Sequence, residues 1–82
     1  MNELGLLRLQ LKGRGVEHQT LATMLLLERS QVSKTLNGPT RNVSAEIQGR
    51  ILRAAREIAA VEFHEFVRNR ETHLLRIAGR VR

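Results

Sequence analysis

The sequence predicts an all-α fold of four or five helices, and three features of the chain support this prediction. Apolar residues recur with a period of about 3.6 residues, whereas the strict alternation typical of strands is nearly absent. Glycine and proline separate the periodic stretches, as expected of loops between helices. With 82 residues, the chain has room for one small hydrophobic core.

Two helices are expected in the first part of the chain. The first carries one broad apolar stripe, whose members are Leu4, Leu6, Leu7, Leu9 and Leu11. The stretch 13–15, Gly-Arg-Gly, ends this helix. The second helix carries a further apolar set, Leu21, Ala22, Met24 and Leu25.

A third, more polar helix is predicted over residues 28–37, where Val32 and Leu36 are its apolar positions. Glu28 is interpreted as the N-cap of this helix. Gly38 and Pro39 end it, because glycine is favoured just past a helix C-terminus and proline cannot continue a helix.

A fourth helix is predicted to follow Ser44, which is a good N-cap residue. Glu46 lies in its first turn, where the helix dipole favours negative charge. The apolar face consists of Ile47, Ile51, Ala54, Ala55 and Ile58. Because residues 51–78 contain no glycine or proline, helix can continue beyond Ile58.

The composition limits the classes of function. Lysine and arginine number 14 against 8 acidic residues, a formal net charge of +6, and twelve of these cations are arginines. The planar guanidinium suits both phosphate groups and guanine edges, although a soluble basic domain is the alternative interpretation. The two aromatic residues are Phe63 and Phe66, which disfavours a stacking platform for single strands.

Other classes find no support in the sequence. The chain has no cysteine, so disulfides and thiolate metal sites are excluded. His18, His64 and His73 lack metal-ligand spacing, and no nucleophile–base pair or phosphate loop occurs. The longest apolar run, residues 24–27, is far too short to cross a bilayer, and no basic signal-peptide start is present. We therefore expect no enzymatic activity, cofactor, metal, membrane association or small-molecule effector.

Residues 17–38 have the pattern of two short helices that cross steeply through a tight turn. Ala22 is small where the second helix crosses close to it, and the apolar contacts that fix the crossing are Leu21, Leu27, Val32 and Leu36. The outer face of the second helix is polar, and it is expected to read a DNA groove through Arg29, Ser30, Gln31, Ser33 and Lys34.

This stretch resembles the helix-turn-helix of the lac repressor family. In that family a Val-Ala pair is followed by Val-Ser-Arg-x-x-Asn-Gly, which residues 21–22 and 32–38 match at the same spacing. A second family signature, Val-Ser opening a helix that ends in Ala-Ala-x-Glu-Leu, is similar to residues 43–44 and 54–58. The resemblance covers residues 17–58, about half of the chain.

The segment 15–22 is similar to the Gly-Leu-Thr-Gln-x-x-Leu-Ala of the phage Cro and lambda-repressor class, which also has a helix before the motif. A glutamine of that class, often a phosphate contact, falls on His18. The resemblance implies a lambda-repressor-like helix-turn-helix domain over residues 1–58. Leu26 replaces the family's turn glycine, and the loop 38–42 is one residue longer. No hinge helix or sugar-binding domain follows, so effector sensing is not implied.

Together these features predict a sequence-specific regulator of transcription that binds double-stranded DNA. We expect a homodimeric repressor at an inverted-repeat operator, of plasmid or phage type, in the bacterial cytoplasm and nucleoid-associated through DNA. The candidate base contacts are Arg29, Ser30, Gln31 and Lys34, and the candidate phosphate contacts are His18, Thr20, Ser33, Asn37 and Arg41. The alternative is an antitoxin-like or partner-tethering subunit whose C-terminal half binds another protein.

Residues 59–82 are predicted to be a helical dimerisation segment, because they carry more apolar surface than a soluble tail needs. The candidate interface residues are Phe63, Phe66, Val67, Leu74 and Ile77. The polar run 68–73 can divide the segment into two helices, or residues 74–82 can pair as strands. Alternatively, both phenylalanines fold back on the protomer's own core. The last arginines, Arg76, Arg80 and Arg82, are expected to form a frayed terminus, with a DNA-binding tail as the alternative.

Overall fold

A computed structural model describes residues 2–38 and 40–82, and within these ranges helices and the loops between them are the only elements. The helices are α1 (Glu3–Gly13), α2 (His18–Leu25), α3 (Arg29–Asn37), α4 (Ala45–Ala60), α5 (Phe63–Arg68) and α6 (Arg70–Val81). The predicted fold class is confirmed, but the described residues form six helices rather than four or five. Pro39, predicted to help end the third helix, lies outside the described residues.

Helix α1 is capped as its sequence allows. The side-chain oxygen of Asn2 accepts a hydrogen bond from the Gly5 N–H at 2.8 Å, as a residue at the N-cap position commonly does. Leu7 and Leu11 are buried, whereas Leu6 and Leu9 are 49% and 55% exposed. The stripe that contacts the core is therefore narrower than predicted.

The turn between α2 and α3 bends at Leu26, which has left-handed backbone angles (φ 59°, ψ 44°) and a side chain that is 75% exposed. Left-handed backbone costs a non-glycine residue about 1–2 kcal/mol. Three residues, 26–28, separate α2 from α3. Helix α3 begins at Arg29, and Glu28 holds the N-cap position predicted from the sequence. Leu27 N–H donates back to Ala22 O at 2.9 Å and closes the turn.

Helix α4 confirms the predicted N-cap. The Ser44 hydroxyl accepts from the Ile47 N–H at 3.2 Å, and the helix then runs 16 residues to Ala60. Its apolar face packs into the centre of the molecule, with Ile51, Ala54, Ala55 and Ile58 buried. None of the helices in the described ranges is long and apolar enough to cross a lipid bilayer.

The C-terminal segment forms two helices that break at Asn69, inside the polar run predicted to divide it. Glu62 begins α5, and its carboxylate accepts from the N–H groups of His64 and Glu65 at 2.9 and 3.0 Å. Residues 74–81 belong to α6, so the alternative in which they pair as strands is wrong. Residues on both sides of position 58 share a single hydrophobic core.

The burial of this segment corrects part of the predicted dimer interface. Phe66, Leu74 and Ile77 are 0%, 6% and 1% exposed and pack against the same core as α1 to α4. They cannot face a second copy, because one protomer already covers them. Phe63 and Val67 remain 41% and 51% exposed on α5.

Several arginine side chains form hydrogen bonds that link one helix to the end of another. Five of them donate to backbone carbonyls at or near helix termini: Arg8 to Leu36, Arg14 to Val61, Arg50 to Leu25, Arg70 to Gly15 and Arg82 to Met24. The last carbonyls of a helix lack intrahelical partners and form its negative pole, so a guanidinium there supplies both a donor and a charge. Much of the positive charge therefore forms hydrogen bonds within the protomer.

The predicted frayed terminus is wrong. Arg80 pairs with Glu57 of α4, and Arg82 Nε donates to Met24 O of α2 at 3.0 Å. Arg76 lies 2.8 Å from the Nδ1 atom of His73. All three side chains have partners within the protomer, which holds the end of α6 against α2 and α4.

Candidate nucleic-acid interface

The outer face of α3 presents polar side chains in two adjacent rows. Arg29, Ser33 and Asn37 are spaced by four residues, as are Ser30 and Lys34, so each row lies along one side of the helix. All of them are exposed except Ser33, which is half-buried. Three of the four predicted base contacts, Arg29, Ser30 and Lys34, therefore lie together on one accessible surface.

The opposite face of α3 fixes the helix to the core. Val32, Thr35 and Leu36 are at most 2% exposed. The Arg8 guanidinium of α1 donates to Leu36 O at 2.5 Å, which ties the C-terminal end of α3 to α1. A helix held at its face and at its end presents its polar rows in one fixed orientation.

Gln31 differs from the other predicted base contacts. Its side-chain oxygen accepts from the backbone N–H of Glu28 at 3.0 Å, and the residue is half-buried. This bond is one half of a capping box, in which the N3 side chain reaches back to the N-cap. The structure thus gives Gln31 a role in beginning α3. The usual capping-box pattern begins with Ser, Thr, Asp or Asn and has Glu or Gln three residues later. The sequence analysis did not recognise this capping box because its N-cap residue is Glu28.

The start of α2 lies near the start of α3. His18, the first residue of α2, has a pKa lowered below 6.5, first by desolvation and then by the positive charges of Arg29 and Arg8. These three basic groups belong to α2, α3 and α1 and lie close enough to repel one another. A phosphate group at this place would relieve that repulsion.

The remaining predicted phosphate contacts lie around α3. Thr20 is half-buried on α2, and Arg41 is exposed in the loop after α3. Asn37 Nδ2 lies 3.4 Å from Ser33 Oγ, so these two side chains form a polar pair at the end of α3. The structure brings His18 close to Arg29 and keeps Ser33, Asn37 and Arg41 on or just after α3.

The cations of α3 differ from most of the others in having no side-chain partner within the described part of the chain. Besides the five arginines on carbonyls, four pair with glutamates: Arg53, Arg56, Arg68 and Arg80. With Arg76 on His73, ten of the twelve arginines are engaged. Within residues 2–38 and 40–82, Arg29 and Arg41 have neither a hydrogen-bonding nor an ion-pair partner. Residues 29–45 contain no carboxylate, and Glu28 and Glu46 flank this stretch.

One exposed cation near this surface was missed by the sequence analysis. Lys12 of α1 lines the same groove as Arg8 and His18, beside the start of α2. The available signal was its position four residues after Arg8, which places both on one side of α1. Lys12 extends the basic surface from α3 towards α1.

Comparisons of the chain with protein-family models, with curated proteins and with solved structures find no match. A function for this surface is therefore inferred from its chemistry. It offers hydroxyl, amide, ammonium and guanidinium donors on one short helix, with cations around them. Such a surface can bind a polyanion and donate hydrogen bonds to groups that lie between its phosphates.

Proposed function

We propose that this protein is a sequence-specific regulator of transcription that binds double-stranded DNA through a helix-turn-helix formed by α2 and α3. One observation carries the proposal: the exposed face of α3 and the loop after it hold cations without partners among the residues that the structure describes, in a stretch, residues 29–45, free of carboxylates. The similarity of residues 15–58 to the lac repressor and lambda-repressor patterns points the same way.

The shape of the surface favours duplex DNA over single strands. A major groove admits one α-helix, and a helix with two polar rows can donate to base edges along the groove floor. Single-strand binding uses stacking aromatics, but Phe66 is buried and Phe63 lies on α5, on a helix outside this surface. In this proposal Arg29, Ser30 and Lys34 contact bases.

The surrounding groups contact phosphates and set the position of α3 in the groove. These are His18, Thr20, Ser33, Asn37 and Arg41, together with Lys12. Phosphate contacts hold the register of the protein on the duplex, whereas the α3 side chains select the sequence. Two copies would recognise an inverted repeat with half-sites about 34–36 Å apart, which suits a repressor at an operator.

Selection of binding sites from random duplex DNA tests the proposal. The wild-type protein should enrich one inverted-repeat motif, and footprinting should then show two half-sites. The double variant Arg29→Ala/Lys34→Ala should lose this enrichment. The matched control Arg53→Ala/Arg68→Ala removes two exposed but partnered arginines and should keep it. Failure of the wild-type protein to enrich any motif would contradict the proposal.

A second candidate is a DNA-binding subunit that tethers a partner protein, as an antitoxin does. The observation that favours it is the pair Phe63 and Val67, which lie one turn apart on α5 and are 41% and 51% exposed. This candidate predicts that Phe63→Ser/Val67→Ser abolishes capture of the partner while operator affinity stays unchanged. A purified protein that represses transcription by itself would exclude the need for such a partner.

A further inference from the structure

Leu75 is the most exposed large hydrophobic residue of the C-terminal helices, at 70%. It lies on α6 beside a groove between α2 and α6, whose lining includes Thr23 and Met24 of α2. Leucine at this position exposes apolar surface to water beside the groove. This arrangement is typical of a surface that a partner covers.

The residues in line with Leu75 form a stripe whose two ends carry opposite charge. Glu71 lies one turn before Leu75 and Arg82 two turns after it, while Gly79 lies between. Glu71 Oε1 lies 3.3 Å from Arg70 Nη1 but the Glu71 side chain stays 82% exposed, and a Cβ atom added at Gly79 would meet nothing within 4 Å. The stripe is therefore acidic at one end, basic at the other and open in the middle.

The charges of this stripe are complementary to those of the same stripe on a second, antiparallel copy of α6. In an antiparallel pair of α6 helices, Glu71 of each copy lies opposite Arg82 of the other. Each Leu75 then meets Gly79 of the partner, where the two helices can approach closely. Because Arg82 uses Nε for Met24 O, its two terminal nitrogens stay available to a carboxylate. The antiparallel helix dipoles are also favourable.

We propose that the α6 stripe, Glu71, Leu75, Gly79 and Arg82, is the dimer interface of this protein, with a second copy of the chain as its occupant. The inference deepens the proposed function and rests on it for its biological role, because recognition of an inverted repeat requires two copies. It also replaces the buried residues Phe66, Leu74 and Ile77 by an exposed set on the same segment.

Sedimentation equilibrium of the full chain without DNA tests the proposal. The wild-type protein should sediment as a dimer, and Leu75→Asp should convert it to a monomer. The matched control is Leu6→Asp, which places the same charge at a leucine that is 49% exposed on α1. Circular dichroism of each variant confirms that it is folded. A folded Leu75→Asp dimer, or a wild-type monomer at high micromolar concentration, would overturn the proposal.

Charge reversal gives a second test that does not depend on loss of the fold. Glu71→Arg and Arg82→Glu should each weaken the dimer by about tenfold, because like charges then face each other. The double variant should regain the wild-type dissociation constant, and absence of this rescue would contradict the antiparallel pairing. A dimer without DNA affinity would refute the proposed function alone, whereas a monomer that binds single half-sites would refute the interface alone.

Discussion

Helices α3 and α6 both carry cations but use their charge in opposite ways. Each is short and buries one apolar face, with two cations on α3 and three arginines on α6. The arginines of α6, and Arg82 directly after it, are engaged with Glu71, His73, Glu57 and the carbonyls of Gly15 and Met24. On α3, Arg29 and Lys34 have no such partner among the residues that the structure describes. Cations without partners in the protomer are thus a better indication of a nucleic-acid interface than the number of cations on a helix.

The largest expected effect concerns the buried face of α6. Ile77→Ala should lower the free energy of unfolding by about 2–5 kcal/mol, because it leaves a cavity in a site that is 1% exposed. Chemical denaturation measures this loss, and Leu6→Ala on the exposed side of α1 serves as the control. If Ile77→Ala and Leu6→Ala lowered the free energy of unfolding equally, this face of α6 would not be part of the core.

The next effect concerns base contact by α3. Arg29→Ala should weaken operator binding by about 1–3 kcal/mol and relax specificity at one position, with unchanged stability. Arg80→Ala on α6 should leave operator affinity unchanged, because its charge is already paired with Glu57. Fluorescence anisotropy with operator and random duplexes distinguishes the two variants. Equal losses on both duplexes would make Arg29 a phosphate contact only.

A smaller effect is expected in the salt dependence of binding. Each phosphate that a cation neutralises contributes about −0.9 to the log–log slope of affinity against salt concentration. Arg41→Ala should therefore reduce the slope by about one, uniformly across DNA sequences. Arg56→Ala, which removes a cation paired with Glu3, should leave the slope unchanged. A change for Arg56→Ala equal to that for Arg41→Ala would remove the distinction between partnered and unpartnered cations.

The smallest effect concerns His18. Its pKa in the folded protein is lowered below 6.5 by desolvation and by Arg29 and Arg8. The unfolded chain then binds more protons than the folded one, so stability should fall as the pH drops below 6.5 towards the folded pKa. DNA phosphates favour the protonated form, so operator affinity should rise over the same interval. Denaturation and anisotropy at pH 7.5 and 5.5 measure both trends, and His18→Gln should flatten them.

The sequence predicted those features that depend on neighbouring residues. Ser44 marked the start of α4, Glu28 the start of α3, and the polar run 68–73 the break between α5 and α6. Each is a local signal, because an N-cap or a helix break is decided within one turn. The exposed polar face of α3 follows from the same helical periodicity.

Features that depend on distant residues were not predictable. Periodicity showed that Phe66 and Ile77 are apolar positions on a helix, but it could not show that their own protomer covers them. Arg8 contacts a carbonyl 28 residues away and Arg82 one that is 58 residues away. No spacing rule identifies such partners, so the sequence could not separate structural arginines from those that remain available to a ligand.

The arginine hydrogen bonds at the helix ends have a consequence for the substitutions that the fold tolerates. A planar guanidinium carries five donors in a fixed fork, whereas a lysine ammonium is a compact charge on a flexible stem. Arg14 shows the effect most clearly: it is 8% exposed, donates to Val61 O at 3.0 Å and lies over the ring of Phe63. Lysine at such positions would present its three donors on a single nitrogen, without the flat, fixed fork that lets one side chain reach several carbonyls.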